Sequence, residues 1–396
     1  MVVLHAGLLW QMRDFIAQGY GDFTAFYTAG KLVGRGQASN LYDRRAQWEV
    51  QQEFASTVRI RQGPIPYLRP PFEALLFRLF AYLPYPLAWC LWMALKISIL
   101  FTIPWLLRPY IPGGPWVSVP VSVLLCLSFF PVAFDLLQGQ DVILLLFLFT
   151  LAHRAMQRRA DWTAGIFFAL GLFKFHLVLP LMLVLFLRRR LRVVLGFLAT
   201  ASVLLLVSAA LVGWPTLRAY PHYLWELNRA YGVGMVAPEI MPNVRGLIGV
   251  FAGAVTAPVY TNGLVAIAAV AGIIFTAWIW RTSDDDDPVL SSAGFSLAIL
   301  VAILTSYYAY SYDMTLLLLP ILLLGGTFLR SLDLHRWPER IFVACVALLL
   351  LSPFFWLLIL RSGQFYWVGL TILLLLSASL AWMMRDWRAQ LKETAA

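Results

Sequence analysis

The feature that most constrains this chain is a succession of apolar runs, most of them near the ~20 residues a helix needs to cross a bilayer. They fall at about 84–107, 115–134, 141–153, 162–187, 191–213, 259–280, 289–307, 313–329, 338–360 and 363–383. Soluble domains carry roughly 25% charged residues, whereas this chain has 13% charged and 61% hydrophobic. The reading is an all-α, polytopic membrane helical bundle. Residues 1–396 form a single integral membrane unit, with 22–83 as a first external loop bearing amphipathic surface helices and 84–383 as the transmembrane bundle.

The net charge of +10 does not indicate a nucleic-acid partner. Most basic residues sit in short runs between apolar segments, which is the pattern of positive-inside topology in a lipid bilayer. Cys90, Cys126 and Cys345 lie inside apolar stretches without a pairing pattern, so neither a disulfide framework nor a metal knuckle is expected.

Charge also orients the segments. Arg154, Arg158 and Arg159 mark one loop as cytoplasmic, and Arg188, Arg189, Arg190 and Arg192 mark the next one likewise, yet only 162–187 separates them. A single straight helix would leave one of these loops on the wrong side. The segment is therefore expected to go in and come back, as two short helices turning near Lys174–Phe175–His176. Arg281–Thr282–Ser283, the run Asp284–Asp287, the stretch from Arg330 to Arg336 and the tail from Arg385 then share the cytoplasmic side. The external side receives the Asp22 region, Asp135–Asp141, Lys174–His176, the loop 214–258 and Tyr307–Asp313. Met1–Trp10 is apolar but short for a span, and is expected to stand in for a first helix mostly absent from the chain. Counting it gives about eleven or twelve spans.

The first loop opens with Gly21–Asp22–Phe23–Thr24–Ala25–Phe26–Tyr27–Thr28–Ala29–Gly30. Read as helix, Phe23, Phe26, Tyr27 and Gly30 form one apolar or small stripe, and Gly34 and Gly36 end it. Asp22 then stands at the helix start beside the bilayer, either as a general base or as an N-cap. Asn40 followed by Asp43 resembles a capping box and opens a second surface helix. Pro64, Pro66, Pro70 and Pro71 break regular structure before a short apolar helix at Phe72–Tyr82.

Other polar groups collect on the same side. An ionisable residue inside hydrocarbon is a functional candidate by default. Lys174 and His176 lie deep in an apolar run, where a cation either holds a phosphate or snorkels to the interface. Gln138–Gly139–Gln140, between Asp135 and Asp141, presents amides to a ligand or is only a polar turn with helix caps. Arg69 and Arg245 are external cations or lipid head-group anchors. Tyr307, Tyr308, Tyr310 and Tyr312, followed by Asp313, make a sugar platform or an interfacial belt. Asp284–Asp287 reads as a solvated loop on the opposite side rather than a metal site. A single acid suits transfer to a hydroxyl, which needs one base, while glycoside hydrolysis pairs two carboxylates about the bond. No phosphate loop, zinc pattern or nucleophile motif is present, and no internal repeat of the transporter kind.

Together these pieces resemble the family 87 glycosyltransferases of the GT-C superfamily. The matching stretches are Gly21–Asp22–Phe23 through Gly30 with Leu41–Tyr42–Asp43, Arg69–Pro70–Pro71–Phe72–Glu73–Ala74–Leu75–Leu76, Gln138–Gly139–Gln140, Gly171–Leu172–Phe173–Lys174–Phe175–His176, Pro242–Asn243–Val244–Arg245–Gly246–Leu247, and Tyr312–Asp313. The resemblance implies an inverting transfer of a mannose-like hexose or a pentose. The donor is a polyprenyl-phosphate sugar and the acceptor a hydroxyl of an envelope lipid or glycan. It implies action on the external face of the plasma membrane, and since the leaving group is a phosphate monoester, cations can suffice there without a metal or cofactor. Relatives include mannosyltransferases that extend phosphatidylinositol mannosides. Carried onto this chain, it assigns the base to Asp22; the substrate contacts are expected at Lys174, His176, Arg245, Arg69, Gln140, Asn243, Tyr308 and Asp313. Family members often carry a His before the Tyr–Asp pair, where this chain has Tyr307 and Tyr308. The rival readings are a transporter or flippase of an envelope lipid and a non-catalytic scaffold.

Overall fold

A computed structural model of the chain describes residues 1–55, 63–111, 117–229, 237–252, 258–281, 285–330 and 336–395. Every regular element among them is helical. The first loop region holds α1 (Val2–Gln11), α2 (Arg13–Ala17), α3 (Phe23–Gly34), α4 (Arg44–Ala55) and α5 (Pro71–Phe80). Then come α6 (Tyr85–Leu107), α7 (Val119–Ser128), α8 (Phe130–Gln138), α9 (Val142–Gln157), α10 (Asp161–Leu170), α11 (Phe175–Leu187) and α12 (Leu191–Val212). The rest comprises α13 (Trp214–Arg229), α14 (Val244–Ala252), α15 (Pro258–Ile279), α16 (Pro288–Thr305), α17 (Leu318–Arg330), α18 (Trp337–Leu350), α19 (Ser352–Ser362) and α20 (Tyr366–Ala395).

By length and composition alone, six described helices are long and apolar enough to cross a membrane, the run Asp161–Leu187 among them, or eight if two bent pairs each count once. This is fewer than the eleven or twelve expected. The run 115–134 breaks between α7 and α8 with a 69° bend, and 338–360 breaks between α18 and α19 with a 66° bend. Pro131 and Pro353 sit in the first turns of the second halves, where a missing N–H and the ring's bulk stop a helix from running through. α9 has only 16 residues, about 24 Å of helix at ~1.5 Å per residue. The segment before α17 is a 3-10 turn, Ser311–Leu317, rather than α-helix.

The run 161–187 is the decisive case. As one continuous helix its 27 residues would hold its ends about 40 Å apart at ~1.5 Å per residue. Instead Asp161 at the start of α10 lies 3.5 Å from Arg190, just past the end of α11. Arg159 and Arg188 both reach the following acidic loop, at 3.1 Å from Asp286 and 2.8 Å from Asp285. The chain therefore reverses through the 3-10 turn Gly171–Lys174, the hairpin that charge alone predicted. α10 then packs on α12 at backbone contact: a Cβ on Gly165 would stand 2.2 Å from the Val193 carbonyl, and one on Gly196 2.5 Å from that of Trp162. Small residues at such crossings are the usual device of membrane helix pairs.

Basic residues gather at the end opposite the hairpin tip. Arg158 bonds Tyr110, Arg388 bonds the Ile279 carbonyl, and Arg336 lies 3.8 Å from Asp386. The described part of the acidic run is a partly exposed loop whose carboxylates nonetheless have partners. Asp285 and Asp286 hold arginines, and Asp287 caps α16 by accepting from Val289 and Leu290 at 2.8 and 2.9 Å. Residues 282–284 and 331–335 of the expected cytoplasmic loops lie outside the described residues.

The first loop corrects another expectation. α3 is not a surface helix, since every residue from Phe23 to Gly30 is buried. Its apolar stripe packs on α5 and α6, with Phe26 stacked on Phe77 at 4.8 Å and Phe23 against Tyr85 at 5.7 Å. Gly30 allows this approach, because a Cβ there would lie 2.3 Å from the Phe77 carbonyl. α4 begins at Arg44, one residue after Asp43, whose carboxylate accepts from the Arg45 amide at 2.8 Å. Asp43, not Asn40, is the cap. Two buried glutamines on α4 then clamp the irregular chain ahead of α5. Gln51 exchanges two bonds with the Ile65 backbone (2.9 and 3.0 Å), and Gln47 accepts from the Tyr67 amide at 3.3 Å.

The hairpin makes a sidedness prediction. In a background lacking Cys90, which is exposed, Arg159→Cys and Arg189→Cys should react with an impermeant thiol reagent from the same face of intact membrane vesicles. Labelling from opposite faces would restore a straight crossing.

Candidate active site

The site grows from the turn between α8 and α9. Gly139 closes α8 at φ +68°, a backbone state that favours glycine, and a Cβ there would meet that of Phe23 at 2.6 Å. The turn thus sits directly against the start of α3. Fully buried Lys96 of α6 fixes it from beneath, donating to the Asp135 carboxylate (2.9 Å) and to the carbonyls of Asp135 (3.1 Å) and Gln140 (3.0 Å). These use all three ammonium donors. The second Asp135 oxygen accepts from the Val142 amide at 3.1 Å, and the Trp92 indole donates to the Gly139 carbonyl at 2.9 Å. Lys96 was not singled out by sequence, although a lone lysine in mid-span carried the signal, being costly in hydrocarbon unless paired.

Asp22 does not cap α3. Its backbone is already helical and its side chain makes no cap bond. Its carboxylate instead accepts from the Gln140 amide at 2.5 Å, while the Gln140 oxygen accepts from Arg69 at 3.1 Å. Arg69 grips Asp141 with two bonds, 2.7 and 3.0 Å. Lys174, at the hairpin tip, lies 3.2 Å from Asp141 and 2.9 Å from Asp313. Asp313 in turn accepts from the Tyr310 amide at 2.8 Å. A continuous polar chain thus joins residues from the first loop to the 3-10 turn before α17. The position of Arg69 follows from its neighbours, since the hydroxyls of Tyr42 and Tyr220 each hold a carbonyl of the 68–69 segment at 2.8 Å.

Asp22, Arg69, Gln140, Lys174, His176, Tyr308 and Asp313 line one cavity of about 280 Å³, together with Phe26, Phe134, Tyr310 and Tyr312. Burial pushes the Asp22 carboxyl above the ordinary carboxylate range, against the opposing pull of the Gln140 bond and of Arg69 and Lys174. His176 meets Tyr308 edge-on at 6.3 Å. Two expected contacts lie elsewhere. Asn243 bridges the Ser306 carbonyl and the Gly246 amide at 2.9 Å each, tying α14 to the end of α16. Arg245 stacks on Tyr307 at 3.6 Å and lies 5.5 Å from the ring of Tyr308, and is not among the residues that line the cavity. Lys174 is shared by two carboxylates, Asp141 and Asp313. Asp141 and Glu73 are acids of the network that the sequence reading left unassigned. Among the described residues no three His, Cys, Asp or Glu side chains gather in a metal-holding arrangement.

Breaking the buried support should be costly. Lys96→Met leaves Asp135 uncompensated, an expected loss of about 3–5 kcal/mol. Thermal unfolding in detergent checks it, and the double variant with Asp135→Asn should recover part of the loss.

Comparison with known proteins places the chain in a recognised group. No curated protein matches the chain as a relative. Residues 67–306, more than half the chain, match the family model of glycosyltransferase family 87. That stretch carries Arg69, the Gln140–Asp141 turn, the Lys174 hairpin and Arg245, and the chain belongs to glycosyltransferase family 87.

Proposed function

We propose that the cavity is the active site of an inverting membrane glycosyltransferase and that Asp22 is its general base. The observation that carries this reading is a carboxylate freed from helix capping, aimed into a cavity and oriented by Gln140. An acceptor hydroxyl gives its proton to Asp22 as its oxygen attacks the anomeric carbon. The bond from that carbon to the donor phosphate oxygen breaks on the opposite face, and configuration inverts. The departing phosphate takes the bonding electron pair.

The donor is a polyprenyl-phosphate hexose, mannose-like, or pentose, and the acceptor an envelope lipid or glycan. Its lipid tail runs among the membrane helices while its phosphate lies near Lys174 and Arg69. A phosphate monoester leaving group needs charge stabilisation, which preorganised cations supply. Tyr308, Tyr310 and Tyr312 offer ring faces and hydroxyls to the sugar. The positive-inside rule assigns the arginine-rich end to the cytoplasm, which puts the cavity on the external side of the plasma membrane. Polar groups gathered at one end support a transferase over a carrier, whose site is expected near the midplane.

Asp22→Asn should lower kcat by roughly 10²–10⁴-fold, the usual contribution of a general base, with unchanged gel-filtration behaviour in detergent. Transfer from a radiolabelled lipid-phosphate donor is the measurement, and wild-type turnover by the variant removes the assignment. A second outcome concerns pH. The base works only when ionised, and its pKa is raised, so the acidic limb of kcat/KM should be shifted upward. Activity should be lost as pH falls through a midpoint above ~3.9, the ordinary value for Asp. A limb at or below that value contradicts the role.

A further inference from the structure

Glu73 is a buried acid that the mechanism above does not use. It stands on the first turn of α5, four positions after Arg69, and is 3% exposed. One carboxyl oxygen accepts from the Tyr67 hydroxyl at 3.2 Å. The other is buried with no donor in reach. Its neighbour is the Asp141 side chain, at hydrogen-bonding contact and itself fully buried. Two ionised carboxylates are acceptors only, and like charges at this separation cannot both persist away from water.

The proton belongs on Glu73 for a geometric reason. Asp141 already receives two Arg69 nitrogens and Lys174, at 2.7, 3.0 and 3.2 Å, whereas Glu73 receives one phenol. The groups facing Glu73 are Tyr67, Tyr42, Tyr220, Arg69 and Asp141. Burial and the Asp141 charge push its acid well above the usual range, more than Arg69 and Tyr67 draw it down.

We propose that Glu73 is a neutral positioning residue, whose carboxylic acid O–H donates to Asp141 and so holds that carboxylate in place for Arg69 and Lys174. The orphaned oxygen then has a partner and the network closes. Charge also balances: Asp141 and Asp313 offset Arg69 and Lys174, leaving Asp22 as the one uncompensated anion in the set. An ionised Glu73 would add a second beside the approaching phosphate. The effect on transfer rests on the glycosyltransferase reading, whereas the protonation itself does not.

Infrared spectroscopy of the purified protein tests the protonation without substrate. At neutral pH the wild type should show a protonated-carboxyl C=O band that shifts in D₂O, is lost in Glu73→Gln and persists in Asp22→Asn. A band untouched by Glu73→Gln overturns the proposal. In the transfer assay Glu73→Ala should raise the donor KM about tenfold, as expected for an unmet buried partner. Glu73→Gln, whose amide both donates to Asp141 and accepts from Tyr67, should restore it. A folded Glu73→Gln variant as impaired as Glu73→Ala means that the ionised acid is required, which also overturns the proposal. Absence of transfer from the wild type itself counts against the function and leaves the infrared result standing.

Discussion

Every charge brought into the protein at the cavity end must find a partner before it loses its water. Several kcal/mol per ion are at stake in desolvation, and breaking one partner of such a pair is severe. The architecture answers with shared ions. Lys96 takes three oxygens of a single turn, and Asp141 stands between Arg69 and Lys174. Removing any one of them strands another, so the cavity wall is a coupled set. That coupling also keeps Asp22 apart: its carboxylate is held by an amide, at 2.5 Å, rather than by a direct cation. It stands as a hydrogen-bonded carboxylate rather than as half of an ion pair.

Broken helices bring these groups together. Backbone polar groups cannot be left exposed to lipid, and interruptions at membrane depth are tolerated where they face protein or a cavity. Here the breaks are the α8–α9 turn, the Gly171–Lys174 reversal and the 3-10 turn Ser311–Leu317. Each interruption contributes at least one charged side chain to the site. α9 runs from Asp141 to the arginines at Arg154–Arg159, and the returning hairpin spans the same interval. Their common depth sets the tip Lys174 beside Asp141.

The first loop works differently. Its helices are closed over the bundle by aromatic packing and by glycine-permitted backbone contact at Gly30. The glutamines of α4 satisfy the amides and carbonyls of a segment with no ladder of its own. Arg69 can therefore be rigid without lying on a regular element. Tyr42 and Tyr220 complete the clamp from either side.

The sequence by itself determined the membrane class, the two-ended sorting of charge, the reversal of 162–187 and the candidacy of Asp22, because hydropathy and the cost of burying charge are local and additive along a chain. It also carried, unread, the signal of Lys96 in mid-span. Tertiary structure alone decided that α3 is interior, that Arg245 and Asn243 are not among the residues lining the cavity, that Lys174 is shared by Asp141 and Asp313, and that Glu73 belongs to the network. Those facts depend on which helix faces approach one another, and partners separated by 72 or 139 positions leave no periodicity to read. The same apolar lengths are compatible with many packings. Only the pairing of buried charge selects among them, and that pairing exists only once the helices have met.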